Sequence, residues 1–288
     1  MNRLRNWSSL VKISHLIFSL PFAIIGFGLA YITYPENFNY LLILLVFLSV
    51  FFARNAAMAF NRYTDAEIDA KNERTKNREI PSKVFSKQQV LMFVILNIAL
   101  FLLTVFFINT LCFFLAFLAI FVILFYSYSK RFTFLCHYIL GLSLSMAPIG
   151  AFLAISGEFK IEPILLSLAV FFWVGGFDIL YALQDDEFDE EHQLKSIPQR
   201  FGRKKAMNIS RISHLFSLIP LFIFGIMIEA TWIYYIGFSL FLAILTIEHI
   251  LVKPNDLSRV NLAFATMNGM GGVIFATFTI LDLFSFYF

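Results

Sequence analysis

Two carboxylates and an amide are aligned where an apolar stretch of the chain gives way to a polar one. Asn61, Asp65 and Asp69 recur every four residues, so on an α-helix they lie on one face, about a turn apart. Charge that merely ends a helix at a membrane surface is scattered, with basic residues interleaved for ion pairs. Mg²⁺ prefers oxygen ligands and combines carboxylates with substrate phosphate oxygens. The alignment therefore favours a magnesium and phosphate site.

A second acidic group follows the sixth apolar stretch. Asp178, Asp185 and Asp189 recur at intervals of seven and four residues, which predicts a second helical face. Asp178 lies within the apolar stretch, where an ionisable side chain is costly and indicates a functional site. The other acidic residues of this segment are expected to form a solvated loop: Asp186, Glu187, Glu190 and Glu191.

Two acidic faces can hold metal ions on either side of a diphosphate and neutralise the charge that develops on it as a leaving group. Basic side chains would then complete the site. The basic candidates follow the motifs or lie on the cytoplasmic turn between them: Lys71, Arg74, Arg78, Lys130, Arg131 and Lys195. For each basic residue, the ordinary excess of positive charge at the cytoplasmic face is an equally good explanation.

Long apolar helices must position these motifs. The chain has 288 residues, 59% hydrophobic and 14% charged, with a mean hydropathy of +0.78, whereas a soluble domain carries about 25% charged residues. Stretches long enough to span a bilayer recur, and the alternating polarity of a barrel is absent. The sequence predicts an all-α polytopic membrane protein. Its nine spans lie near residues 10–34, 39–61, 87–108, 111–129, 134–157, 162–184, 206–227, 231–252 and 262–285.

The basic residues predict how the chain is oriented. With the N-terminus in the cytoplasm, every Lys and Arg except Lys160 falls on the cytoplasmic side, as the positive-inside rule requires. An odd number of spans then puts the C-terminus outside. The two polar motif segments, 61–86 and 178–205, face the cytoplasm. We therefore expect a single multi-pass domain over residues 1–288, located in the cell inner membrane, with its site open to the cytoplasm.

Other kinds of site have little support. The only two cysteines, Cys112 and Cys136, have neither the spacing of a zinc site nor that of a disulfide framework. The five histidines are scattered without metal-ligand spacing, which favours interfacial or core roles. Gly175 and Gly176 lie within a span, which favours close helix packing. As partners we expect the lipid bilayer and small substrates, and no nucleic acid.

The acidic motifs resemble those of the UbiA superfamily of intramembrane aromatic prenyltransferases, and the similarity covers most of the chain. The family motif N-x-x-x-D-x-x-x-D is similar to the run from Asn61 to Asp69. The family motif D-x-x-x-D, with an upstream D-x-x-Y, is similar to the set Asp178, Tyr181, Asp185 and Asp189. Shorter matches are the basic run after the first motif, the Y-x-x-x-K-R turn and the Lys-Ser pair, at residues 73–78, 126–131 and 195–196.

The chain departs from the family pattern in two places. Arg62 stands where many members have Asp, which leaves the metal ligands intact. The stretch of residues 190–194 lacks the Gly that is often found before the Lys-Ser pair. This second departure concerns the conformation of the loop and leaves the chemistry unchanged.

The resemblance implies nine helices around a central cavity and transfer of a polyprenyl group from an allylic polyprenyl diphosphate to an aromatic acceptor. Mg²⁺ would be the cofactor, and its ligands would be the catalytic aspartates: Asp65, Asp69, Asp185 and Asp189. Asn61, Lys130 and the basic residues near the first motif would bind the diphosphate, and Lys12 is a further candidate. Arg54, Asp178 and Tyr181 would bind the acceptor, with Arg54 on its carboxylate. A buried Arg needs an anionic partner, and Asp178 is the alternative partner. The chain is most similar to 4-hydroxybenzoate polyprenyltransferases of ubiquinone and menaquinone biosynthesis.

Two other functions stay open from the sequence. A prenyltransferase of this kind can use another acceptor, such as a glycerol-phosphate lipid, haem or a chlorophyllide. A membrane carrier is an alternative from a different class. A carrier would place its charges near the membrane midplane between inverted repeats, whereas the acidic residues here cluster at one interface.

Overall fold

The protein is helical throughout the part of the chain that the structure describes. The computed structural model describes residues 2–285, with side chains from residue 5 onward. No strand occurs in these residues apart from an isolated bridge between Lys253 and Asp256. The α-helices are α1 (Asn2–Val11), α2 (Leu20–Thr33), α3 (Tyr40–Thr64), α4 (Ala66–Asp69), α5 (Lys87–Phe106), α6 (Thr110–Ser129), α7 (Cys136–Ser156), α8 (Ile161–Ala182), α9 (Asp186–Glu191), α10 (Ile197–Phe201), α11 (Arg203–Met227), α12 (Trp232–Leu251) and α13 (Asn268–Phe284). The 3₁₀ segments are Ile13–Phe18, Pro35–Asn37 and Leu183–Asp185, and a π-helical segment, Leu262–Met267, leads into α13.

The prediction of an all-α polytopic membrane protein is confirmed. In the described part of the chain, eight helices are long and apolar enough to cross a membrane, and the count is nine if a bent pair of helices forms one span. That pair corresponds to the first predicted span, and its two pieces meet at an angle of 49° beside Ser19. Pro21 has no N–H group, so it can start α2 but cannot continue a preceding helix. Side chains such as Phe114 and Phe121 are more than half exposed, as expected of surfaces that contact lipid.

The helices form two compact units, of which the first contains α1 and α3 to α6. In this unit α3 packs against α5 and α1. Leu10 of α1 and Ala59 of α3 belong to one buried cluster. The ring of Trp7 stacks on Phe85 and Phe93, with centroid distances of 4.1 and 4.5 Å. These contacts hold α1 beside the end of α3 that carries the first acidic motif.

The second unit contains α2 and α7 to α13. Its central helix is α8, which packs against both α7 and α11. The side chains of Trp173, Phe177 and Leu180 on α8 are all at most 2% exposed. In the same unit α2 packs against α7, and α13 packs against α12 and α2. The second acidic motif therefore follows the most deeply buried helix of its unit.

A buried polar network joins four helices of the second unit. Asn268 of α13 donates to Glu248 of α12 at 2.7 Å and accepts from the indole N–H of Trp173 of α8 at 2.8 Å. His214 of α11 contacts the Trp173 carbonyl through Nε2 at 3.2 Å and His249 Nε2 through Nδ1 at 2.9 Å. Unpaired polar groups are costly in an apolar interior. These hydrogen bonds therefore favour one packing of the helices, while Glu248 Oε2 and His249 Nδ1 have no hydrogen-bond partner among the described residues. Both histidines have the interfacial or core role expected of them.

A second polar contact joins α13 to the start of α12. Asp282 is 2% exposed, and its carboxylate accepts hydrogen bonds from the main-chain N–H groups of Thr231 at 3.0 Å and Tyr234 at 3.2 Å. The first N–H groups of a helix have no partner within the helix and carry partial positive charge. A carboxylate from a neighbouring helix thus caps α12.

Glycines allow the helices around α8 to approach closely. A Cβ atom on Gly175 would lie 2.7 Å from the Tyr138 ring of α7, and one on Gly176 would lie 2.2 Å from the His214 ring of α11. A Cβ on Gly141 of α7 would lie 2.3 Å from the main-chain oxygen of Phe171. The close-packing role expected for the Gly175 and Gly176 pair is confirmed.

Three of the sequence expectations concern the chain as a whole. The single domain over residues 1–288 stays a prediction, beside the two compact units of the described helices. The cytoplasmic N-terminus and the outside C-terminus also stay predictions. Residue 1 and residues 286–288, which belong to these expectations, lie outside the described residues.

We predict that Gly141→Ala destabilises the protein by about 1–3 kcal/mol, because the new methyl group meets main-chain atoms that cannot move aside. Gly150→Ala on the same helix is the matched control, since a Cβ there meets nothing within 4 Å. This control should be neutral or stabilising by up to about 1 kcal/mol. Thermal unfolding in detergent measures both variants, and equal midpoints for the two would contradict the packing argument.

Candidate functional site

The first acidic motif lies where α3 ends. Asp65, with φ −93° and ψ 5°, separates α3 from the short helix α4. The main chain still makes four-residue hydrogen bonds from Asp65 N to Asn61 O at 3.0 Å and from Asp69 N to Asp65 O at 2.7 Å. Asn61 Nδ2 also donates to Asp65 Oδ2 at 3.0 Å. The predicted succession of the three side chains is therefore kept across the helix break.

Asp69 is buried, with 7% of its side chain exposed. Arg78 Nη1 donates to Asp69 Oδ1 at 2.7 Å, and Thr75 Oγ1 donates to the main-chain oxygen of Asp69 at 3.1 Å. Asp69 Oδ2 is buried and has no hydrogen-bond partner among the residues that the structure describes. Leaving a buried carboxylate oxygen without a partner is costly. This atom is thus available to a cation from outside the chain.

Positive charge is concentrated near α3 in the same unit. Arg54 lies on α3, seven residues before Asn61, and its Nε is buried without a hydrogen-bond partner among residues 5–285. The charges of Arg54, Lys12 and Arg62 all act on the imidazole of His15, which means that these cations are close together. Lys12 is exposed and follows the end of α1. Such a concentration of cations favours binding of an anion.

The second acidic motif is not on the continuous helix that its spacing predicts. The 3₁₀ turn Leu183–Asp185 separates α8 from α9. A 3₁₀ turn advances by about 120° per residue, compared with about 100° in an α-helix. The regular α-helical spacing assumed for Asp178, Asp185 and Asp189 is therefore interrupted at this turn, and their sharing of one face stays a prediction. Asp185 and Asp189 are nevertheless both buried, with exposures of 8% and 1%.

Lys130 joins the second motif from the turn between α6 and α7. Its Nζ donates to Asp189 Oδ2 at 3.3 Å. Burial lowers the pKa of Lys130, but the nearby Asp189 carboxylate, with Cys136 and Asp185, raises it, and the net pKa lies above its ordinary value. A lysine with a raised pKa stays protonated at neutral pH. Lys130 is therefore a permanent positive charge beside Asp189.

Lys195 makes hydrogen bonds through both its main chain and its ammonium group. Its N–H donates to the main-chain oxygen of Lys130 at 2.7 Å. Its exposed Nζ donates to the main-chain oxygen of Phe132 at 3.2 Å. Lys195 and Lys130 thus lie together, as expected if both act on one ligand.

Asp178 has a partner that the sequence did not indicate. His137 of α7 is fully buried, and its Nδ1 lies 2.7 Å from Asp178 Oδ2. Asp178, which the sequence offered as an alternative partner for Arg54, is therefore paired with a histidine. The two residues are 41 positions apart, so no short motif connects them. The only available signal was a histidine at the start of a predicted span.

Asp186 does not belong to a solvated loop, which corrects the expectation. Its carboxylate receives two hydrogen bonds from Arg203, from Nε at 2.5 Å and from Nη2 at 2.8 Å. Arg203 also contacts Glu187, at 2.9 Å. The bidentate pair ties α9 to the start of α11, while Glu187 is 86% exposed. Asp186 is therefore engaged in a structural ion pair. Asp185 and Asp189 remain the candidate ligands of this segment.

The two remaining predicted ligands lie at the edges of their segments. Arg74 is exposed, and its main-chain N–H donates to Asn72 Oδ1 at 2.8 Å, which fixes the turn after α4. The ring of Tyr181 packs against Phe264, with centroids 4.3 Å apart. Tyr181 thus forms part of an aromatic wall next to the second motif.

The acidic residues suit a metal ion that shares its coordination with a ligand. No three His, Cys, Asp or Glu side chains of residues 5–285 form a metal-binding group by themselves. Mg²⁺ commonly takes only one or two carboxylates, and waters and phosphate oxygens complete its shell. The partnerless buried oxygen of Asp69, beside Asp65 in the first motif, has the chemistry that such an ion requires.

The chain is similar to known proteins over most of its length. The model of the UbiA prenyltransferase family matches residues 19–270. The 4-hydroxybenzoate octaprenyltransferase of Aliivibrio fischeri (strain MJ11) is 31% identical over 236 residues, which is 81% of each chain. The apo structure of a UbiA homolog from Aeropyrum pernix K1 has a TM-score of 0.84 and 29% identity, over 94% of this chain and 98% of that chain. The fold is also shared with a UbiA homolog from Archaeoglobus fulgidus that was solved bound to GPP and Mg²⁺, with a TM-score of 0.74 and 20% identity, over 96% of this chain and 99% of that chain.

We predict that Asp186→Asn lowers the stability of the protein by about 1 kcal/mol, because it weakens a bidentate, partly buried ion pair with Arg203. Glu187→Gln removes only a solvent-exposed partner of the same arginine and serves as the control with a smaller effect. Thermal unfolding at low and high salt measures both. Equal effects of the two substitutions would show that the Asp186 pair does not hold α9 to α11.

Proposed function

The chain belongs to the UbiA prenyltransferase family and is a membrane-spanning prenyltransferase, and we propose that it transfers a polyprenyl group from an allylic polyprenyl diphosphate to 4-hydroxybenzoate. Mg²⁺ is the proposed cofactor, and ubiquinone or menaquinone biosynthesis is the proposed pathway. The names of the curated relatives support this acceptor. The proposal places the site at the cytoplasmic face of the inner membrane. A carrier function does not agree with the family.

One observation carries the magnesium part of the proposal. Asp69 has one oxygen in an ion pair with Arg78 and a second oxygen that is buried without a partner. The arginine orients the carboxylate, so the free oxygen points in a defined direction. In the proposal this oxygen and Asp65 are metal ligands from the first motif, and Asp185 and Asp189 are ligands from the second. When bound, Mg²⁺ would neutralise the diphosphate as the allylic C–O bond breaks.

The chain's own cations would bind the diphosphate directly. Lys130 is held beside Asp189 and stays protonated, and a protonated amine stabilises the negative charge of a leaving diphosphate. Lys195 is bonded to Lys130 through the main chain and would act with it. The remaining proposed diphosphate ligands are Asn61, Lys12, Arg74 and Arg78.

Arg54, Asp178 and Tyr181 are the proposed acceptor residues. The buried guanidinium of Arg54 would bind the carboxylate of the aromatic acid, because a planar guanidinium matches a carboxylate in two parallel hydrogen bonds. Asp178 contacts His137 through Oδ2, and its other oxygen would accept a hydrogen bond from the acceptor hydroxyl. Such a bond makes the ring more electron-rich. A new C–C bond then forms at a ring carbon, and loss of the ring proton to solvent restores aromaticity.

We predict that membranes containing the protein convert a labelled polyprenyl diphosphate and 4-hydroxybenzoate into a prenylated acid when Mg²⁺ is present. EDTA should abolish the conversion, and excess Mg²⁺ should restore it. Mass spectrometry of the product, with several chain lengths and with a glycerol-phosphate lipid, haem and a chlorophyllide as competing acceptors, identifies the substrates. Prenylation of one of these other acceptors alone would replace 4-hydroxybenzoate in the proposal.

We predict that Asp65→Asn and Asp185→Asn each reduce turnover by about 100-fold or more, because a neutral amide is a poor ligand for Mg²⁺. Glu67→Gln is the matched control beside Asp65, since Glu67 is 84% exposed and paired with Lys87. Glu190→Gln, also exposed, is the control beside Asp185. Full activity of either Asp variant, or equal losses in the controls, would contradict the metal assignment.

We predict that Arg54→Gln raises the KM for 4-hydroxybenzoate by about tenfold or more, because a charge-assisted bidentate contact is lost. The KM for the prenyl diphosphate should stay nearly constant. Lys204→Gln, an exposed cation of α11, is the control for a loss of positive charge. A phenol without a carboxylate should be used equally by the wild-type protein and Arg54→Gln. If Arg54→Gln also used this phenol less well than the wild-type protein, the assignment of Arg54 to the acceptor carboxylate would be contradicted.

A further inference from the structure

His137 connects two parts of the second unit that carry proposed site residues. It is the second residue of α7 and is fully buried. On one side its Nδ1 lies 2.7 Å from Asp178 Oδ2 on α8. On the other side the main-chain N–H of Ile197 points at its Nε2 over 3.3 Å. The imidazole therefore lies between the proposed acceptor site and the segment that follows the second acidic motif.

The two contacts define the tautomer of His137. A main-chain N–H can only donate, so Nε2 must carry a lone pair to accept the hydrogen bond from Ile197. The proton is then on Nδ1, where it is donated to the Asp178 carboxylate. A histidine bonded in this way at both nitrogens cannot rotate without losing one of its bonds. It thus fixes which oxygen of Asp178 stays available.

The segment from Leu194 to Ile197 is tied to the proposed diphosphate residues. Leu194 N–H donates to the main-chain oxygen of Asp189 at 2.8 Å, and Lys195 N–H donates to that of Lys130 at 2.7 Å. The Ser196 side chain also interacts with the Asp189 carboxylate. A shift of this segment would therefore move Lys130, Lys195 and Asp189 together.

We propose that His137 is a positioning residue of the prenyltransferase, which orients Asp178 towards the acceptor and holds the segment of residues 194–197 in the place where its neighbours bind the diphosphate. This inference rests on the proposed function for the roles of Asp178 and Lys130. It goes beyond that function because His137 touches neither substrate. Its effect is transmitted through two hydrogen bonds that can be removed one at a time.

Two substitutions separate the two bonds. In His137→Asn, the side-chain amide N–H occupies the place of Nδ1, so the bond to Asp178 is kept and the bond to Ile197 is lost. In His137→Gln, the longer side chain brings an amide oxygen to the place of Nε2, so the bond to Ile197 is kept and the bond to Asp178 is lost. Tyr138→Phe is the matched control, since it removes another buried polar contact of α7, the 2.6 Å bond to Ser213.

The expected result is a split between the two Michaelis constants. His137→Gln should raise the KM for 4-hydroxybenzoate about tenfold, and His137→Asn should raise the KM for the prenyl diphosphate about tenfold. In each variant the other KM should stay within about twofold of the wild type. Tyr138→Phe should lower the unfolding temperature and leave both KM values within the same range. Equal changes in both constants for both variants, or no change in either, would overturn the proposal.

The tautomer of His137 can be measured by NMR without an enzyme assay. In the wild-type protein labelled with ¹⁵N-histidine, His137 should show a protonated, pyrrole-type Nδ1 and an unprotonated, pyridine-type Nε2, with the assignment made by loss of the signals in His137→Gln. A doubly protonated ring or an Nε2–H tautomer at neutral pH would overturn the proposal, whatever the two KM values are. Absence of any prenylated product from the wild-type protein would instead overturn the proposed function, and the NMR signals would still decide the geometry at His137.

Discussion

A charged or polar group that leaves water for the interior of a membrane protein must find a partner there, and this requirement organises the structure. Asn268 donates to Glu248 Oε1, Asp282 accepts from the start of α12, and His137 contacts Asp178. Asp69 Oδ2 and Arg54 Nε are among the buried atoms for which the described part of the chain supplies no hydrogen-bond partner, and each belongs to a proposed site residue. The Asp69 oxygen is an acceptor, and the proposed Mg²⁺ would bind it. The Arg54 Nε–H group is a donor, and the carboxylate of the proposed aromatic acid would accept from it.

The position of the acidic motifs at the ends of spans suits an amphiphilic substrate. A polyprenyl diphosphate has a charged head and a long apolar tail, so its head belongs at the membrane surface and its tail among apolar helices. The break at Asp65 and the 3₁₀ turn Leu183–Asp185 both lie where a span ends. At such ends the carboxylates can bind ions and the preceding helices can contact hydrocarbon. If the motifs lay deeper in the spans, the carboxylates would no longer be next to water and its ions.

The spans and the ligand candidates were predictable from the sequence because their signals are local. Apolar length predicts the nine spans, and helical spacing separates Asp69 and Asp189 from their acidic neighbours. The 3₁₀ turn before α9 was not predictable, since residues 183–185 contain no Pro or Gly that would break a helix. The pairs of Asp186 with Arg203 and of Asp178 with His137 also lie beyond local reasoning. Each joins residues on separate helices, 17 and 41 positions apart, and depends on tertiary packing.

The contacts between α12 and α13 have a consequence for how the chain enters the membrane during synthesis. Glu248 Oε1 on α12 accepts a hydrogen bond from Asn268, and the first turn of α12 is capped by Asp282, yet both partners belong to the helix that the ribosome makes next. Until α13 emerges, α12 carries a carboxyl group and open N–H groups that lipid cannot satisfy. The two helices are therefore expected to leave the translocon as a hairpin. Truncation before Asn268 would leave α12 without both partners and expose the unfinished chain to membrane quality control.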